Sequence, residues 1–278
     1  MMNDYSVKRM ARLLGVSKSG FYAFLKRDLE SRSNVSDELL NTVRDVHRKN
    51  RNCYGFQKTF KAIRQQGFGY SRLQVIRAMK QLKIGGKRRK RYVPRTTDSS
   101  HNFPISANLL NRNFRVEKPN QVWVSDITYI RTLSGWLYLC AVIDLYSRKV
   151  VGWSMQNHME TSLVISALEM GVQNRRPEKG LIFHSDRGSQ YASHDFRLQL
   201  KEKGMVQSMS RKGNCWDNAC AESFFGLMKT ELPKTVFINQ QEAKAEIFDY
   251  IEVFYNRKRI HSFLEFLSPE EFENQQIA

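Results

Sequence analysis

Between Gln121 and Met155 three β-rich segments follow one another with only short turns between them, and that run limits the fold more than any other feature of the chain. Gln121–Ile130 alternates and is dense in Val, Ile, Thr and Tyr, Trp136–Ile143 follows across the Leu133-Ser134-Gly135 turn, and Lys149–Met155 comes after Asp144–Arg148. Strands joined by turns this short pair antiparallel, so a three-stranded meander is predicted. The character then changes. Helical spacing runs from Thr161 to about Asn174, Leu181-Ile182-Phe183-His184 reads as a short buried strand, and a helix is expected near His194–Lys203. A short strand over Met205–Met209 and long helices over about Trp216–Leu232 and Gln241–Tyr255 complete the pattern.

The order β-β-β-α-β-α-β-α is that of a mixed-sheet α/β domain of ribonuclease H type, here placed at residues 119–278 with a C-terminal helical extension. Small all-α modules precede it. Residues 1–30 are expected to hold a helix-turn-helix, with Met10, Ala11, Leu14, Val16, Phe21 and Phe24 on facing sides and Gly15 at the turn. Lys18, Tyr22 and Lys26 then lie on or near the exposed side of its second helix, where DNA contact is one reading and a hairpin that only packs on the rest of the protein is the other. A second helical DNA-binding or positioning module is expected over 31–84, its helices marked by Leu39, Leu40, Val43 and Val46, by Phe56, Phe60 and Ile63, and by Leu73, Val75, Ile76, Met79 and Leu82. Periodicity is lost over 85–118, a basic linker.

Charge separates the two halves. Residues 1–118 hold 27 Lys and Arg against 8 Asp and Glu, whereas 119–278 hold 18 against 19, so the formal net charge of +18 comes from the N-terminal part. Such asymmetry points to nucleic-acid binding joined to a charge-balanced domain with other work to do. The cationic run Lys87-Arg88-Arg89-Lys90-Arg91 in the linker suits a phosphate backbone, where neutralisation releases counterions whatever the base sequence. No stretch of 18 apolar residues suggests a membrane span, and the N-terminus lacks a signal-peptide pattern, so a cytoplasmic protein is expected. The four cysteines form no C-x-x-C pair and the six histidines no H-x3–5-H pair; no zinc is expected.

Three acids in the second half violate ordinary burial rules. Asp126 interrupts the apolar strand around Trp123-Val124, Asp186 follows the buried-looking strand at 181–184, and Glu222 lies in a helix among Phe224, Phe225 and Leu227. Fifty-nine residues separate Asp126 from Asp186 and 35 separate Asp186 from Glu222. This spacing resembles the retroviral-integrase-like core, whose acidic triad ends in D-x35-E. Trp123–Tyr129, Val142–Arg148, His184–Tyr191, Ser208–Ala219, Glu222–Phe225 and Phe254–Ser262 with Ser268-Pro269-Glu270 resemble the second-frame (OrfB) transposases of the large bacterial insertion-sequence family numbered three. The likeness runs from about residue 35 to the C-terminus. Two departures stand out: the second module reads Tyr54-Gly-Phe-Gln-Lys-Thr-Phe60 where the family usually has basic residues soon after Tyr-Gly, and Glu265 stands where the family typically has glycine.

The resemblance implies a DDE enzyme that cleaves DNA strands and transfers them at the terminal inverted repeats of an insertion sequence. Asp126, Asp186 and Glu222 would hold Mg²⁺, with Mn²⁺ as an alternative, since hard oxygen ligands suit such ions and two of them can activate one oxygen and stabilise another. In related folds the first acid bridges both ions, which would be Asp126 here. Lys229, seven residues beyond Glu222 on the same helical face, is placed near the scissile phosphate, with surface solubility as its alternative. Asn218 could contact phosphate or cap the helix; His184 could contact DNA or pack; the loop Ser210–Asn214, with Arg211 and Lys212, reads as a mobile strand clamp. Expected partners are element ends and target DNA, further copies of the chain in a paired-end complex, and a first-frame (OrfA) protein. Two other readings stay open: a ribonuclease H-like nuclease that only hydrolyses, and a non-catalytic DNA-binding regulator.

Overall fold

The computed structural model describes residues 6–25, 35–87 and 101–275. Two short helices come first, α1 (Val7–Leu13) and α2 (Lys18–Leu25), the first capped by Ser6. Gly15 between them adopts φ +63°, a conformation glycine takes without steric cost. The facing sides expected of this pair are largely uncovered: Leu14 is 75% exposed, Val16 and Phe24 about half, and only Ala11 is buried. Two helices of seven and eight residues are too short to cover each other's apolar faces.

Helices α3 (Asp37–Lys49), α4 (Phe56–Gln65) and α5 (Arg72–Gln81) follow where the apolar periodicity placed them. Ser36 caps α3, and Ser71 with Gln74 forms a capping box that satisfies two of the otherwise orphaned N–H groups of α5. Their shared core of Leu39, Val43, Ile63 and Val75 is continuous with the core of the C-terminal half. The Tyr54 hydroxyl accepts from Ile260 N–H (2.8 Å), Gln65 donates to the Phe266 carbonyl (2.9 Å), and Arg51 pairs with Asp249 while stacking on Tyr250 and Phe254. Arg72 lies over the stacked rings of Phe56 and Phe60.

The α/β domain contains β1 (Val122–Thr132), β2 (Gly135–Asp144), β3 (Val150–Gln156), α6 (Thr161–Arg175), β4 (Ile182–Ser185), α7 (Ser189–Ala192), α8 (His194–Glu202), β5 (Val206–Met209), α9 (Ala219–Glu231), β6 (Val236–Phe237), α10 (Gln240–Phe248) and α11 (Pro269–Gln275). The sheet runs β3-β2-β1-β4-β5, with β6 pairing the far end of β1. β1, β2 and β3 form the expected antiparallel meander, and β1, β4 and β5 are parallel. It is a mixed α/β sheet of ribonuclease H-like type with helices on both faces.

Alternation along β1 assigns those faces. Val122, Val124 and Ile130 share a core with α9 and α10, whereas Trp123 shares the other with α6 and α8. Close approach fixes α6: a Cβ on Gly152 would lie 2.2 Å from the Ala167 carbonyl oxygen, so β3 needs glycine there. The helix expected over Gln241–Tyr255 divides, α10 giving way to a π-helical segment, Asp249–Tyr255, that buries Tyr250, Ile251, Phe254 and Tyr255. The short helices α7 and α11 and the two-residue β6 carry too little periodicity to be read from sequence.

Part of the expected linker is also ordered against the sheet edge. Ser106 donates to Gln207 (2.7 Å), Leu109 N–H to Ser208 Oγ (2.9 Å), and the His101 ring bonds the Arg187 carbonyl (2.8 Å). These contacts are polar, which is why apolar spacing gave no hint of them.

Candidate active site

Asp126 and Asp186 meet through sheet register. β1 and β4 are parallel with Val122 opposite Ile182 and Val124 opposite His184, and the same offset carries Asp126 opposite Asp186, one residue beyond the end of β4. Each is two residues from a paired neighbour, so both side chains leave the sheet on the α9 side. α9 packs on that face through Ala221, Phe224, Phe225 and Met228, with Glu222 in its first turn.

The electrostatics reflect this meeting. Burial first, then the neighbouring Asp186 charge and that of Glu222, push the Asp126 carboxyl well above the usual carboxylate range. Two influences oppose them: Ile127 N–H donates to Asp126 Oδ1 (2.8 Å), and the Lys229 ammonium lies within electrostatic reach. Lys229 is drawn down by burial and held up by Asp126, so the two-turn spacing from Glu222 does bring this lysine to the acids. Gly188 N–H donates to Asp186 Oδ1 (3.0 Å), fixing the turn after β4. Among the described residues no three of His, Cys, Asp and Glu close around a single point as a metal cage. The donor set is nonetheless all carboxylate oxygen, with the Asp186 and Glu222 charges raising Asp126, which suits a hard divalent cation that takes a few carboxylates and completes its shell with water and phosphate.

Neighbouring residues take structural parts that sequence spacing did not disclose. α9 does not start at Trp216; a 3-10 turn, Cys215–Asn218, precedes it. Asn218 is therefore buried at the helix start, donating to the Ser125 carbonyl (3.0 Å) rather than facing a phosphate. Asp217, not among the residues expected from sequence, is fully buried and accepts from Arg211 Nε (2.8 Å) and Nη2 (2.7 Å), Arg211 N–H (2.9 Å), Arg112 Nε (2.9 Å) and Asn108 Nδ2 (2.9 Å). The Arg211 bonds hold its carboxyl well below the usual range. An acid six residues after Arg211 in the polar stretch from Ser210 was the available signal. The expected mobile clamp is thus anchored through Arg211, while Lys212 stays exposed.

His184 is fully buried, its ring bonded to Ser208 Oγ (2.8 Å) and Ser210 Oγ (3.2 Å), and burial pushes its pKa down to about 4; packing is its place, not DNA contact. On the opposite face of β1, Ser125 Oγ bonds Tyr191 Oη (2.8 Å), bracing the strand beside Asp126. Lys87, expected on a phosphate backbone, donates to the Glu231 carbonyl at the end of α9 (3.3 Å), where a cation complements the helix dipole. Lys18 is exposed and Tyr22 45% exposed on α2. Lys26 and the run Arg88, Arg89, Lys90 and Arg91 lie outside the described residues.

Comparison with known proteins bears on this arrangement. Integrase core domain models match residues 116–215 and 222–277, and an HTH-like domain model matches 35–92. The insertion element IS600 uncharacterized 31 kDa protein of Shigella sonnei is 40% identical over 267 residues, covering 96% of this chain and 98% of its own. Transposase InsF for insertion sequence IS3A of Escherichia coli (strain K12) is 39% identical over 278 residues, covering 99% of this chain and 96% of its own. The chain belongs to the IS3 family of insertion-sequence transposases. A simian T-cell lymphotropic virus intasome chain overlays 83% of this chain and 73% of its own at TM-score 0.48 and 14% identity, too loosely to carry any part of that assignment.

Within this IS3-family transposase the integrase-core matches contain all three acids, Asp126 and Asp186 in the first and Glu222 as the first residue of the second. The HTH-like match falls on α3–α5 rather than on α1 and α2. The family implies a polynucleotidyl transferase acting on DNA. No helix among the described residues is long and apolar enough to cross a membrane.

Proposed function

We propose that this transposase cleaves and joins DNA at the terminal inverted repeats of its own insertion sequence, with Asp126, Asp186 and Glu222 as its catalytic, metal-holding triad. The observation that carries the reading is that carboxylates from β1, the end of β4 and the first turn of α9 act on one another: after burial, the Asp186 and Glu222 charges raise the Asp126 carboxyl. Bound Mg²⁺, or Mn²⁺ in its place, would supply activation of the attacking oxygen and stabilisation of the departing one.

The chain's own residues do the rest. β1 and β4 hold two carboxylates at fixed register, and α9 brings the third with its helix start tied to Ser125 by Asn218. Lys229 places a positive charge beside the acids, suited to the DNA backbone at the scissile phosphate. The N-terminal excess of 27 basic over 8 acidic residues in 1–118 supplies the wider grip on DNA. Residues 1–30, 31–84, 85–118 and 119–278 are read as the two helical modules, the basic linker and the catalytic core. Two element ends must be held together, so we assign the active form to a multimer of this chain, working with a first-frame partner.

Asp186→Asn tests the assignment. Strand transfer of a labelled 3′ end in Mg²⁺ should fall on the order of 10³-fold or more, while DNA binding by gel shift stays within a few-fold. Transfer by Asp186→Asn at the native rate would sink the triad. Release of labelled ends without their joining to target DNA would favour the hydrolysis-only nuclease.

A further inference from the structure

Trp216 is placed unlike the other three tryptophans. Trp123 is buried, Trp153 donates its indole N–H to Glu252 (2.7 Å), and Trp136, though 51% exposed, meets the Tyr129 ring edge-on; Trp216 is 69% exposed. It is not on a loose loop. The residues immediately after it are buried on either side of the turn, Asp217 locked by Arg211, Arg112 and Asn108, and Asn218 tied to the carbonyl next to Asp126. The 3-10 turn therefore presents the indole to solvent from a fixed base, six residues before Glu222. The cations nearest in sequence and through the Asp217 hub are Lys212, Arg211 and Arg112, the last two each about half exposed.

An apolar ring exposed on a turn that is bonded to β1 next to Asp126, with Arg211 and Arg112 bonded to the adjacent Asp217, matches one ligand chemistry: a nucleotide whose base has left the duplex stack. Every base has a π-face for the indole, and its phosphates suit Arg and Lys. We infer that Trp216 is the stacking platform for an unpaired base at the DNA end being processed, an inference that rests on the transposase reading above. The ring acts on specificity and positioning. It holds the terminal base away from its partner strand so that the backbone bends towards the carboxylates.

The test uses the full-length chain and duplexes carrying the ends of its own element, either fully paired or mismatched at the terminal base pairs, with 2-aminopurine at a mismatched position. Trp216→Ala should lower strand transfer of paired ends by roughly 5- to 100-fold, the range of one lost base–aromatic stack. Trp216→Phe should keep most of it, and mismatched ends should restore Trp216→Ala to within a few-fold of the native chain. In the Asp186→Asn background, where no turnover is needed, binding should quench the mismatched 2-aminopurine when Trp216 is present and leave it bright in Trp216→Ala. Equal losses on paired and mismatched ends, or equal quenching with and without the indole, would overturn the inference. So would loss of the multimer by sedimentation in Trp216→Ala with quenching intact, which assigns the ring to a contact between copies. Native transfer by Asp186→Asn strikes the triad instead, and leaves the quenching result to be read by itself.

Discussion

Two groups of acids lie under the same sheet and are treated in opposite ways. Glu231, at the end of α9, is almost fully buried and accepts from Arg259 Nε (2.7 Å) and Nη2 (2.6 Å) and from the Tyr250 hydroxyl (2.9 Å). Asp144 and Glu273 share Arg175; although burial works against Glu273, the Arg175 bonds hold its carboxyl below the usual range. Asp126, on β1 beside the start of α9, has Asp186 and Glu222 as charged neighbours instead, and burial first and then their charges push its carboxyl up. Acids matched to guanidinium hold the fold, whereas acids gathered with other acids raise their own free energy until something positive arrives. The first group is buried and the second half-buried, and burial raises Asp144 despite Arg175 as it raises Asp126; what sets Asp126 apart is that its charged neighbours are acids.

The comparison breaks first at Glu231. If that acid is structural, Glu231→Gln leaves Arg259 buried without its counter-charge and should cost about 3–5 kcal/mol in chemical denaturation. Replacing both partners, Glu231→Leu with Arg259→Met, should recover most of the loss, because an apolar pair needs no compensating charge. Asp186→Asn should do the reverse, removing activity while leaving the denaturation midpoint unchanged or higher. A Glu231→Gln chain as stable as the native one would erase the distinction.

His184 sharpens it at the next scale. This ring sits two residues before Asp186, yet it is buried neutral between Ser208 and Ser210 with its pKa lowered from 6.5 to about 4. The unfolded chain therefore binds a proton that the folded chain refuses between those values. Stability from this group is complete above about pH 6.5 and is lost as pH falls towards 4, roughly 2 kcal/mol by pH 5 and about 3 in full. Denaturant titrations at pH 7 and pH 5 should show that loss, and His184→Gln should flatten it. A native slope unchanged by His184→Gln would place the titrating group elsewhere.

The core was legible because its signals are periodic and local. Alternation in β1 and β2, the helical spacing of α3 to α6 and the 35-residue gap before Glu222 survive without any knowledge of neighbours. The bonded places of Asn218 and Arg211 are not legible in sequence because their partners, the Ser125 carbonyl and Asp217, depend on where a 3-10 turn replaces the first turn of α9. A hydrophobic pattern gives no account of such a turn. The placement of 101–118 is not legible in sequence for a related reason: side-chain bonds from Ser106, Asn108 and Arg112 hold it, and polar bonding has no period. Lys229 was found because two helical turns on α9 needed no tertiary information.

The smallest effect concerns a conflict that serves no chemistry. Glu265 adopts φ +55°, ψ +30° after the short 3-10 turn Ser262–Leu264, and Phe266 follows at φ +66°, both in the left-handed region that penalises a Cβ. Glycine, usual here in the family this sequence resembles, would occupy the first of these positions without that penalty. The turn itself is well held, with Phe266 N–H donating to the His261 carbonyl (2.8 Å) and Gln65 reaching the Phe266 carbonyl, so the backbone will not relax to escape the strain. Glu265→Gly relieves the Cβ clash but gives the unfolded chain more freedom, and the two terms leave a net gain of about 0.5–1 kcal/mol. A rise in thermal midpoint with unchanged strand transfer would mark Glu265 as strain unrelated to function. A rise accompanied by lost transfer would show instead that the turn communicates with α4, through Gln65, and that not every useful conflict in this molecule lies among the carboxylates.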